Sequence, residues 1–350
     1  MHRVVHGGAG VHSVASEKEV KAALLGALAV GETALDTVQS AITSLEDCGV
    51  LNAGRGSNLT FDGTVECDAA IMDGLTRDFG SVGAVSGIKN PISLSLAILQ
   101  HARTPDPLGR IPPMTLVSTG AHSFATSQAP HLLVPPDSLV SPRAKKQWAT
   151  WKDRLSSAQD TATATDASSP MQDTVGAIVW DETSGNIASG VSSGGILLKY
   201  PGRIGEAAVF GAGCWAQTTH GKHRMACSVS GTGEHIVQAN LARRFGAALE
   251  NEADPDVHAI VQRVLVDDFW LPSRSADNPD PSAGVILLTT EEDDEGRERG
   301  RLWCGFTTPS FAIAYASPRC RPKAHILRRP PSIESRPADH PRVFVTAFPL

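Results

Sequence analysis

Residues 172–180 read QDTVGAIVW and mark the point at which a polar tract gives way to an apolar run. The run that begins at Val175 predicts a buried β-strand, because valine, isoleucine and tryptophan suit a pleated and buried surface. Before it, from about residue 130 to residue 173, the chain is rich in Pro, Ser, Thr, Ala and Asp, which predicts a mobile loop. The Asp173-Thr174 bond therefore lies where this loop joins a core strand.

Composition sets the class of protein. The 350 residues carry a formal net charge of -6, with 41% hydrophobic and 19% charged residues, as expected of a globular protein with a sizeable core. The lack of a basic stripe argues against nucleic acid as a direct partner. The sequence has neither a membrane span of about 20 apolar residues nor a signal peptide. We therefore expect an intracellular protein, in the cytoplasm, the nucleus or both.

Cysteine and histidine spacing predicts neither a metal site nor a disulfide framework. The twelve histidines form no His-x-x-x-His pair, and the cysteines are scattered without a Cys-x-x-Cys spacing. We expect reduced thiols that are mostly buried. The six cysteines are Cys48, Cys67, Cys214, Cys227, Cys304 and Cys320.

The order of the predicted elements indicates an α+β layered fold. Two amphipathic helices follow a short first strand, the first behind a capping-box pattern at Ser16. A second half made largely of strands begins at Thr174, with a hairpin whose strands run from Val175 to Trp180 and from Ile187 to Ser192. Another strand is predicted at residues 207–211. This order favours layers of helices on sheets over a doubly wound sheet, within a single domain spanning residues 1–350.

Three short motifs carry little weight. Residues 190–194, GVSSG, match the nucleophile elbow of serine hydrolases, but two glycines and a proline follow where the elbow requires a helix. Residues 8–10 (GAG) and 231–233 (GTG) lack the remaining residues of a phosphate-binding loop. A tight turn explains the first of these glycine pairs better, and for the second both readings stay open.

The Asp173-Thr174 junction suits self-cleavage. Cutting this bond would give Thr174 a free α-amine beside its own hydroxyl, so that one residue supplies both nucleophile and base. The α-amine has an ordinary pKa of about 7.7–8.0 and accepts a proton readily at neutral pH. Taken alone, Thr174 is better explained as a β-branched strand residue.

Eight sequence segments, in a fixed order, resemble those of a known family and favour the nucleophile over the plain strand residue at Thr174. Between about His6 and Ala316 the sequence resembles the asparaginase-type N-terminal nucleophile hydrolases, whose members include plant-type asparaginases, aspartylglucosaminidases and taspase. The resemblance implies a four-layer αββα sandwich. The segments AGCWA, GRIPP, SGIKNP and SVSGTGEH look most like taspase, a threonine protease that cuts after aspartate. The matching segments are HGGAG, LNAGRGSNL, ECDAAIMDG, SGIKNPIS, DTVGAIVW, VSSGG, PGRIG and SGTGEH.

The resemblance assigns catalytic roles residue by residue. Thr174 matches the nucleophile, which is freed by cleavage after Asp173. Ser193 matches a hydroxyl that hydrogen-bonds the nucleophile, with a simple turn serine as the alternative. Ser230 and Gly231 match the pair that lines an oxyanion hole. Asn52 matches an asparagine near the nucleophile.

Three further residues match substrate-binding positions. Arg203 matches the arginine that grips a substrate carboxylate, and Gly233 a backbone position that contacts substrate. Asparaginases carry an aspartate at the position of Glu206 to pair with the substrate ammonium, whereas taspase-like enzymes need no acid there. Glu206 matches neither pattern.

These matches predict a threonine endopeptidase that cleaves protein substrates after internal aspartates. An isoaspartyl peptidase or L-asparaginase, and a nonenzymatic interaction module, are the alternatives. The resemblance also implies autocleavage into an α segment, 1–173, and a β segment, 174–350, which pair into a dimer of αβ units. Residues 321–350 have no counterpart. No cofactor is implied, although the family allows a structural monovalent cation on backbone carbonyls of Leu45, Glu46, Cys48, Leu51, Ala53 and Arg55.

Overall fold

The computed structural model describes residues 1–160, 174–219, 223–251, 255–275, 278–293, 295–337 and 339–350. Asp173 and residues 161–172 of the predicted loop lie outside these ranges. The strands are β1 (His2–Gly10), β2 (Cys67–Asp73), β3 (Phe79–Val85), β4 (Thr115–Val117), β5 (Val175–Trp180), β6 (Ile187–Ser193), β7 (Cys214–Thr219), β8 (His223–Gly231), β9 (Ala283–Glu292), β10 (Glu298–Phe306), β11 (Ser310–Ser317), β12 (Cys320–Arg328) and β13 (Phe344–Pro349).

The helices fall into two groups along the chain, one before β5 and one after β8. A π-helical turn over Val264–Trp270 continues the eighth helix. The α-helices are α1 (Glu17–Gly26), α2 (Ala34–Glu46), α3 (Pro91–Ala102), α4 (Ser118–Gln128), α5 (Pro142–Asp160), α6 (Gly233–Ala239), α7 (Leu241–Glu250), α8 (Val257–Arg263), α9 (Leu271–Ser273) and α10 (Pro331–Glu334).

Two sheets face each other. The larger has the strand order β12-β11-β1-β5-β6-β2-β3-β4 and the smaller the order β13-β10-β9-β8-β7. Neighbouring strands are antiparallel, except for the parallel pair β3 and β4. Helices α1 to α4 cover the outer face of the larger sheet, and α7 and α8 cover the smaller one. This αββα arrangement confirms the predicted fold class.

Strand β5 has both faces buried. Val175, Ala177 and Val179 pack in the core beneath helices α1 to α4, whereas Ile178 and Trp180 pack in the core between the sheets. A strand covered on both sides needs apolar residues at every position, not at alternate ones. The uninterrupted apolar run after Thr174 has this cause.

Gly176 marks a close approach of the two sheets. A Cβ at this position would lie 2.0 Å from Ser228 Oγ on β8 and 2.4 Å from His6 Nε2 on β1. No side chain fits in that space, so glycine is required two residues after Thr174. The main chain that follows Thr174 is thereby held tightly against the opposite sheet.

The sequence predicted a mobile loop from about residue 130 to residue 173. Up to residue 160 this prediction is wrong, because α5 forms within the segment. The Trp148 indole N–H donates to the Thr60 carbonyl at 2.9 Å, and Lys152 donates to the Phe61 carbonyl at 3.0 Å. These tertiary contacts stabilise a helix whose polar composition resembles that of a loop.

The C-terminal residues, which the sequence left unplaced, complete both sheets. Strand β12 pairs with β11 at the edge of the larger sheet, and β13 pairs with β10 at the edge of the smaller sheet. Edge strands pack on fewer neighbours, so their sequences carry more polar residues and a weaker pattern.

Two local predictions were also wrong. The strand expected at residues 207–211 begins instead as a single 3-10 turn, Glu206–Ala208. The Ser16 side chain does not cap α1, because its hydroxyl bonds within the preceding turn to Ser13.

Candidate active site

The site lies at one end of the gap between the two sheets. Thr174 directly precedes β5, and Ser193 is the last residue of the neighbouring β6. The register that pairs Val175 with Ser192 brings Ser193 beside Thr174. Ser230 reaches the same point from β8 in the opposite sheet.

The Thr174 hydroxyl contacts two polar side chains. Its Oγ1 lies 2.6 Å from Glu206 Oε1 and 3.1 Å from Ser193 Oγ, and the residue is 3% exposed. A hydroxyl has a single proton, and the shorter bond to a carboxylate takes it. Ser193 Oγ accepts the Gly195 N–H at 3.0 Å and lies within accepting distance of the same Thr174 hydroxyl. The hydroxyl of Thr174 is thus oriented from both sides.

Ser230 faces the backbone nitrogen of Thr174. Its Oγ accepts the Thr174 N–H at 3.3 Å and the Ala9 N–H at 3.0 Å. Both bonds use oxygen lone pairs, so the Ser230 hydroxyl proton stays available to a group in the pocket. Gly231, the next residue, lines that pocket.

Asn52 holds the turn after β6. Its Nδ2 donates to the Gly195 carbonyl at 2.9 Å, and its Oδ1 accepts the Asn58 N–H at 2.8 Å. Asn58 Nδ2 donates to the same Gly195 carbonyl at 2.9 Å. Asn58 lies inside the LNAGRGSNL motif, although no sequence pattern singled it out. Together the two asparagines fix the position of Ser193.

Arg203 is held in a two-pronged ion pair. Its Nε and Nη2 donate to the two carboxylate oxygens of Glu234, at 2.8 and 2.6 Å. The arginine side chain is 13% exposed and the glutamate 51% exposed. Burial opposes the charge of Arg203, but Glu234, Glu206 and Asp68 outweigh it and raise the pKa. Glu234 was missed in the sequence, although it lies within the SGTGEH motif.

Glu206 is a buried acid beside a cation. Burial raises the pKa of Glu206, while the hydrogen bond from Thr174 and the charge of Arg203 act in the opposite direction. Gly233 leaves room for both side chains, because a Cβ there would lie 2.5 Å from Glu206 Oε2 and 2.8 Å from Arg203 Nη2. The pocket wall thus carries opposite charges side by side.

Asp68 positions the loop that carries Arg203 and Glu206. Its carboxylate accepts the Gly205 N–H and the Ala84 N–H, each at 2.8 Å. Asp68 is fully buried on β2. The sequence contains it within the ECDAAIMDG motif, but a positioning role depends on contacts that no spacing reveals.

Other candidate features play no part in this site. Ser192 lies in β6 and precedes a turn, so the elbow motif is not formed. Within the described ranges, no cluster of three or more His, Cys, Asp or Glu side chains could bind a metal. Nor does any helix in those ranges have the length and apolar character needed to cross a membrane. In the loop before Asn52, the carbonyls of Leu45 and Cys48 accept the chain's own N–H groups.

One pocket brings the predicted residues together. Seven of them line the pocket, and the eighth, Ser230, accepts the Thr174 N–H from the opposite sheet. Asp173 lies outside the described residues. The pocket combines a buried hydroxyl, a cation and an acid, which suits attack on a carbonyl group of a charged substrate. The seven lining residues are Asn52, Thr174, Ser193, Arg203, Glu206, Gly231 and Gly233.

This fold and the threonine at the head of β5 define a hydrolase of the N-terminal nucleophile type. The asparaginase family model matches residues 3–268, and the chain belongs to that family. It is similar to the plant-type L-asparaginase of Pyrobaculum calidifontis, with 34% identity over 90% of this chain and 96% of the relative. It is also 35% identical to the isoaspartyl peptidase/L-asparaginase of Xenopus laevis, over 75% of this chain and 82% of the relative.

A bacterial relative is covered less completely. The chain is 34% identical to the isoaspartyl peptidase of Salmonella typhimurium, and the match spans 64% of this chain and 66% of the relative. These names favour the asparaginase branch of the family. The taspase reading of the sequence receives no specific support from them.

Proposed function

We propose that the chain is cleaved before Thr174 and then hydrolyses β-aspartyl amide bonds, as an isoaspartyl peptidase and L-asparaginase. The observation that carries this proposal is that Arg203 and Glu206 both line the pocket, next to the Thr174 hydroxyl. A β-aspartyl substrate has a free α-carboxylate and a free α-ammonium, both attached to its α-carbon. The guanidinium matches the first and the carboxylate the second. The names of the relatives support the same substrate class.

In the cleaved chain, Thr174 would supply both nucleophile and base. Its α-amine takes the hydroxyl proton, and Oγ1 attacks the side-chain amide carbonyl of the substrate. The amine or ammonia leaves, and water then hydrolyses the ester on Thr174. Ser193 holds Oγ1 in place during both steps.

The negative charge that develops on the oxygen of the attacked carbonyl group requires hydrogen-bond donors. In this proposal the free proton of Ser230 and the N–H of Gly231 bind that oxyanion, with Asn52 fixing the opposite wall. Loss of one such donor costs about 3 kcal/mol of barrier in comparable sites.

Cleavage would divide the chain into segments 1–173 and 174–350. Members of the family are autoprocessed αβ heterodimers. We extend this to the present chain, with two αβ units forming the dimer and the whole of residues 1–350 acting as one catalytic domain.

A second candidate is the threonine endopeptidase that cuts after internal aspartates. The AGCWA and GRIPP segments favour it, and apolar side chains near the Arg203 loop offer a surface for a polypeptide: Ile204 is 41% exposed and Tyr200 82% exposed. An internal aspartate would use Arg203 but would bring no α-ammonium for Glu206 to bind. The lack of a substrate partner for this acid makes the endopeptidase the weaker candidate.

The substrate preference of the wild-type protein separates these two candidate activities. We would measure kcat/KM on a β-aspartyl dipeptide, its N-acetylated form, L-asparagine and a peptide with an internal aspartate. Acetylation removes the ammonium that Glu206 is expected to bind, so the acetylated dipeptide should react about 100-fold more slowly. Thr174→Ala protein gives the background rate.

Two results would count against the main proposal. Equal rates on the free and acetylated dipeptides would remove the role of Glu206 in binding ammonium. Cleavage of the internal-aspartate peptide, with neither dipeptide hydrolysed, would favour the endopeptidase instead.

A further inference from the structure

Glu206 contacts the nucleophile itself in the uncleaved chain. Its Oε1 lies 2.6 Å from Thr174 Oγ1, within the range of a hydroxyl donating to a carboxylate. Glutamate is one methylene longer than the aspartate that the resemblance to asparaginases leads one to expect here. The extra length brings the carboxylate across the pocket to the Thr174 hydroxyl.

The uncleaved chain lacks the base that serves the mature enzyme. Before cleavage the nitrogen of Thr174 belongs to a peptide bond, and its N–H donates to Ser230 Oγ at 3.3 Å. The lone pair of a peptide nitrogen is delocalised and cannot take the hydroxyl proton. The first attack by Oγ1 therefore needs a different proton acceptor.

The hydrogen bonds around Thr174 already point its proton toward Glu206. Thr174 Oγ1 can donate to Glu206 Oε1 at 2.6 Å or to Ser193 Oγ at 3.1 Å, and Ser193 Oγ already accepts the Gly195 N–H. A hydroxyl has one proton, and the shorter bond to a carboxylate is the stronger of the two. The Thr174 proton therefore lies on the bond to Glu206.

Charged groups on several elements face this carboxylate. Arg203, on the same loop, lowers the pKa of Glu206, and Asp68 on β2 raises it. Glu234 on α6 binds Arg203, and the buried Lys199 acts on Asp68. Burial raises the pKa of Glu206, and the charge of Arg203 acts against that rise and so favours the ionised carboxylate.

We propose that Glu206 is the general base of the self-cleavage that frees Thr174, and that the new α-amine takes over this role afterwards. Oγ1 bonds to the carbonyl carbon of residue 173 as its proton passes to Glu206. The bond from that carbon to the Thr174 nitrogen breaks, and the nitrogen receives the proton from Glu206. Water then hydrolyses the ester, giving a carboxylate at residue 173 and restoring the Thr174 hydroxyl.

This inference rests on the proposed cleavage before Thr174, and its test follows cleavage by intact mass without added substrate. Full-length wild type, Glu206→Gln, Glu206→Asp and Glu46→Gln would be compared between pH 5.5 and 8. Glu46→Gln is the matched control, because Glu46 is a buried acid bonded to Ser192 outside the pocket. Wild type and this control should mature at the same rate.

The two Glu206 variants should behave differently. Glu206→Gln should mature at least 100-fold more slowly, and its residual rate should not depend on pH in this range. Wild-type maturation should slow as the pH falls and Glu206 is protonated. Glu206→Asp, whose carboxylate is too short to reach Oγ1, should mature about tenfold more slowly but keep a pH-dependent rate.

Three results would overturn the inference. Glu206→Gln maturing at the wild-type rate would exclude the role, as would a slow variant that keeps the wild-type pH profile. Glu206→Asp maturing as fast as wild type would do the same, and this variant guards against misfolding of the amide form. A wild type that never cleaves would overturn the proposed function as well, so the two failures are distinguishable.

Discussion

Two buried glutamates show the same hydrogen-bonding pattern in different surroundings. Glu46 Oε1 accepts the Ser192 hydroxyl at 2.7 Å, and Glu206 Oε1 accepts the Thr174 hydroxyl at 2.6 Å. Ser192 and Ser193 are consecutive on β6, so their side chains point to opposite faces of the sheet. Glu46, the last residue of α2, consequently lies on the helix-covered face of the larger sheet, and Glu206 lies at the pocket.

The two glutamates differ in their electrostatic surroundings. Burial raises the pKa of Glu46 to about 8, and the nearby Asp47 adds to the effect, so Glu46 is largely neutral at pH 7. Burial also raises the pKa of Glu206, but the charge of the nearby Arg203 acts against that rise and favours the ionised carboxylate. We therefore expect the cation and the open pocket, rather than the hydrogen bond to a hydroxyl, to distinguish a reactive acid from an inert one.

The largest expected effect comes from removing that cation. Arg203→Ala would leave Glu206 in surroundings like those of Glu46 and remove the partner of the substrate carboxylate. We expect kcat/KM on β-aspartyl dipeptide to fall at least 100-fold, from a loss of about 3 kcal/mol of binding. Arg301→Ala is the control, because Arg301 forms a half-exposed ion pair with Glu291. A fall of less than threefold for Arg203→Ala would remove the distinction between the two glutamates.

The neighbouring serines give an intermediate effect. Ser193→Ala should lower kcat about tenfold, from the loss of roughly 1 kcal/mol of hydrogen bonding to Oγ1, with little change in stability. Ser192→Ala should leave kcat unchanged but lower the free energy of unfolding by about 1–2 kcal/mol, because Glu46 loses a donor. Kinetics and urea unfolding measure the two quantities. The same profile for both variants would mean that the two faces of β6 do not differ in role.

A further effect concerns the stability that Glu46 contributes at different pH values. Its folded-state pKa of about 8 lies above its ordinary value of 4.5, so the folded chain binds more protons between these pH values. Stability should therefore fall as the pH rises through this window, by up to about 1.4 kcal/mol per pH unit. Glu46→Gln should lack this slope.

Urea unfolding of the Thr174→Ala chain, with and without Glu46→Gln, gives the measurement on a single uncleaved species. Parallel stability curves from pH 5 to 8 would show that Glu46 is not held neutral by burial.

The sequence predicted the pocket better than it predicted the outer segments. The hairpin of β5 and β6 and the residues around Thr174 were predicted because each lies in a short motif or an apolar run. Helix α5 was not, since the contacts of Trp148 with Thr60 and of Lys152 with Phe61 join residues about 90 positions apart. Composition alone cannot report such contacts.

The same limit applies inside the pocket. Glu206 was selected from the sequence as the residue that departs from the family pattern, yet its bond to Thr174 was not predicted. That bond depends on a turn, Glu206–Ala208, where the sequence predicted a strand from residue 207. The side chain of Glu234 was missed for a similar reason, since its pairing with Arg203 follows from the position of α6.

The central claim is that Thr174 becomes the N-terminal nucleophile, and intact mass during incubation at neutral pH tests it most directly. Purified wild-type chain, of 36.8 kDa, should resolve over time into segments 1–173 and 174–350, whereas Thr174→Ala should stay whole. A wild-type chain that stays whole, or a Thr174→Ala chain that is cut at the same place, would contradict the account.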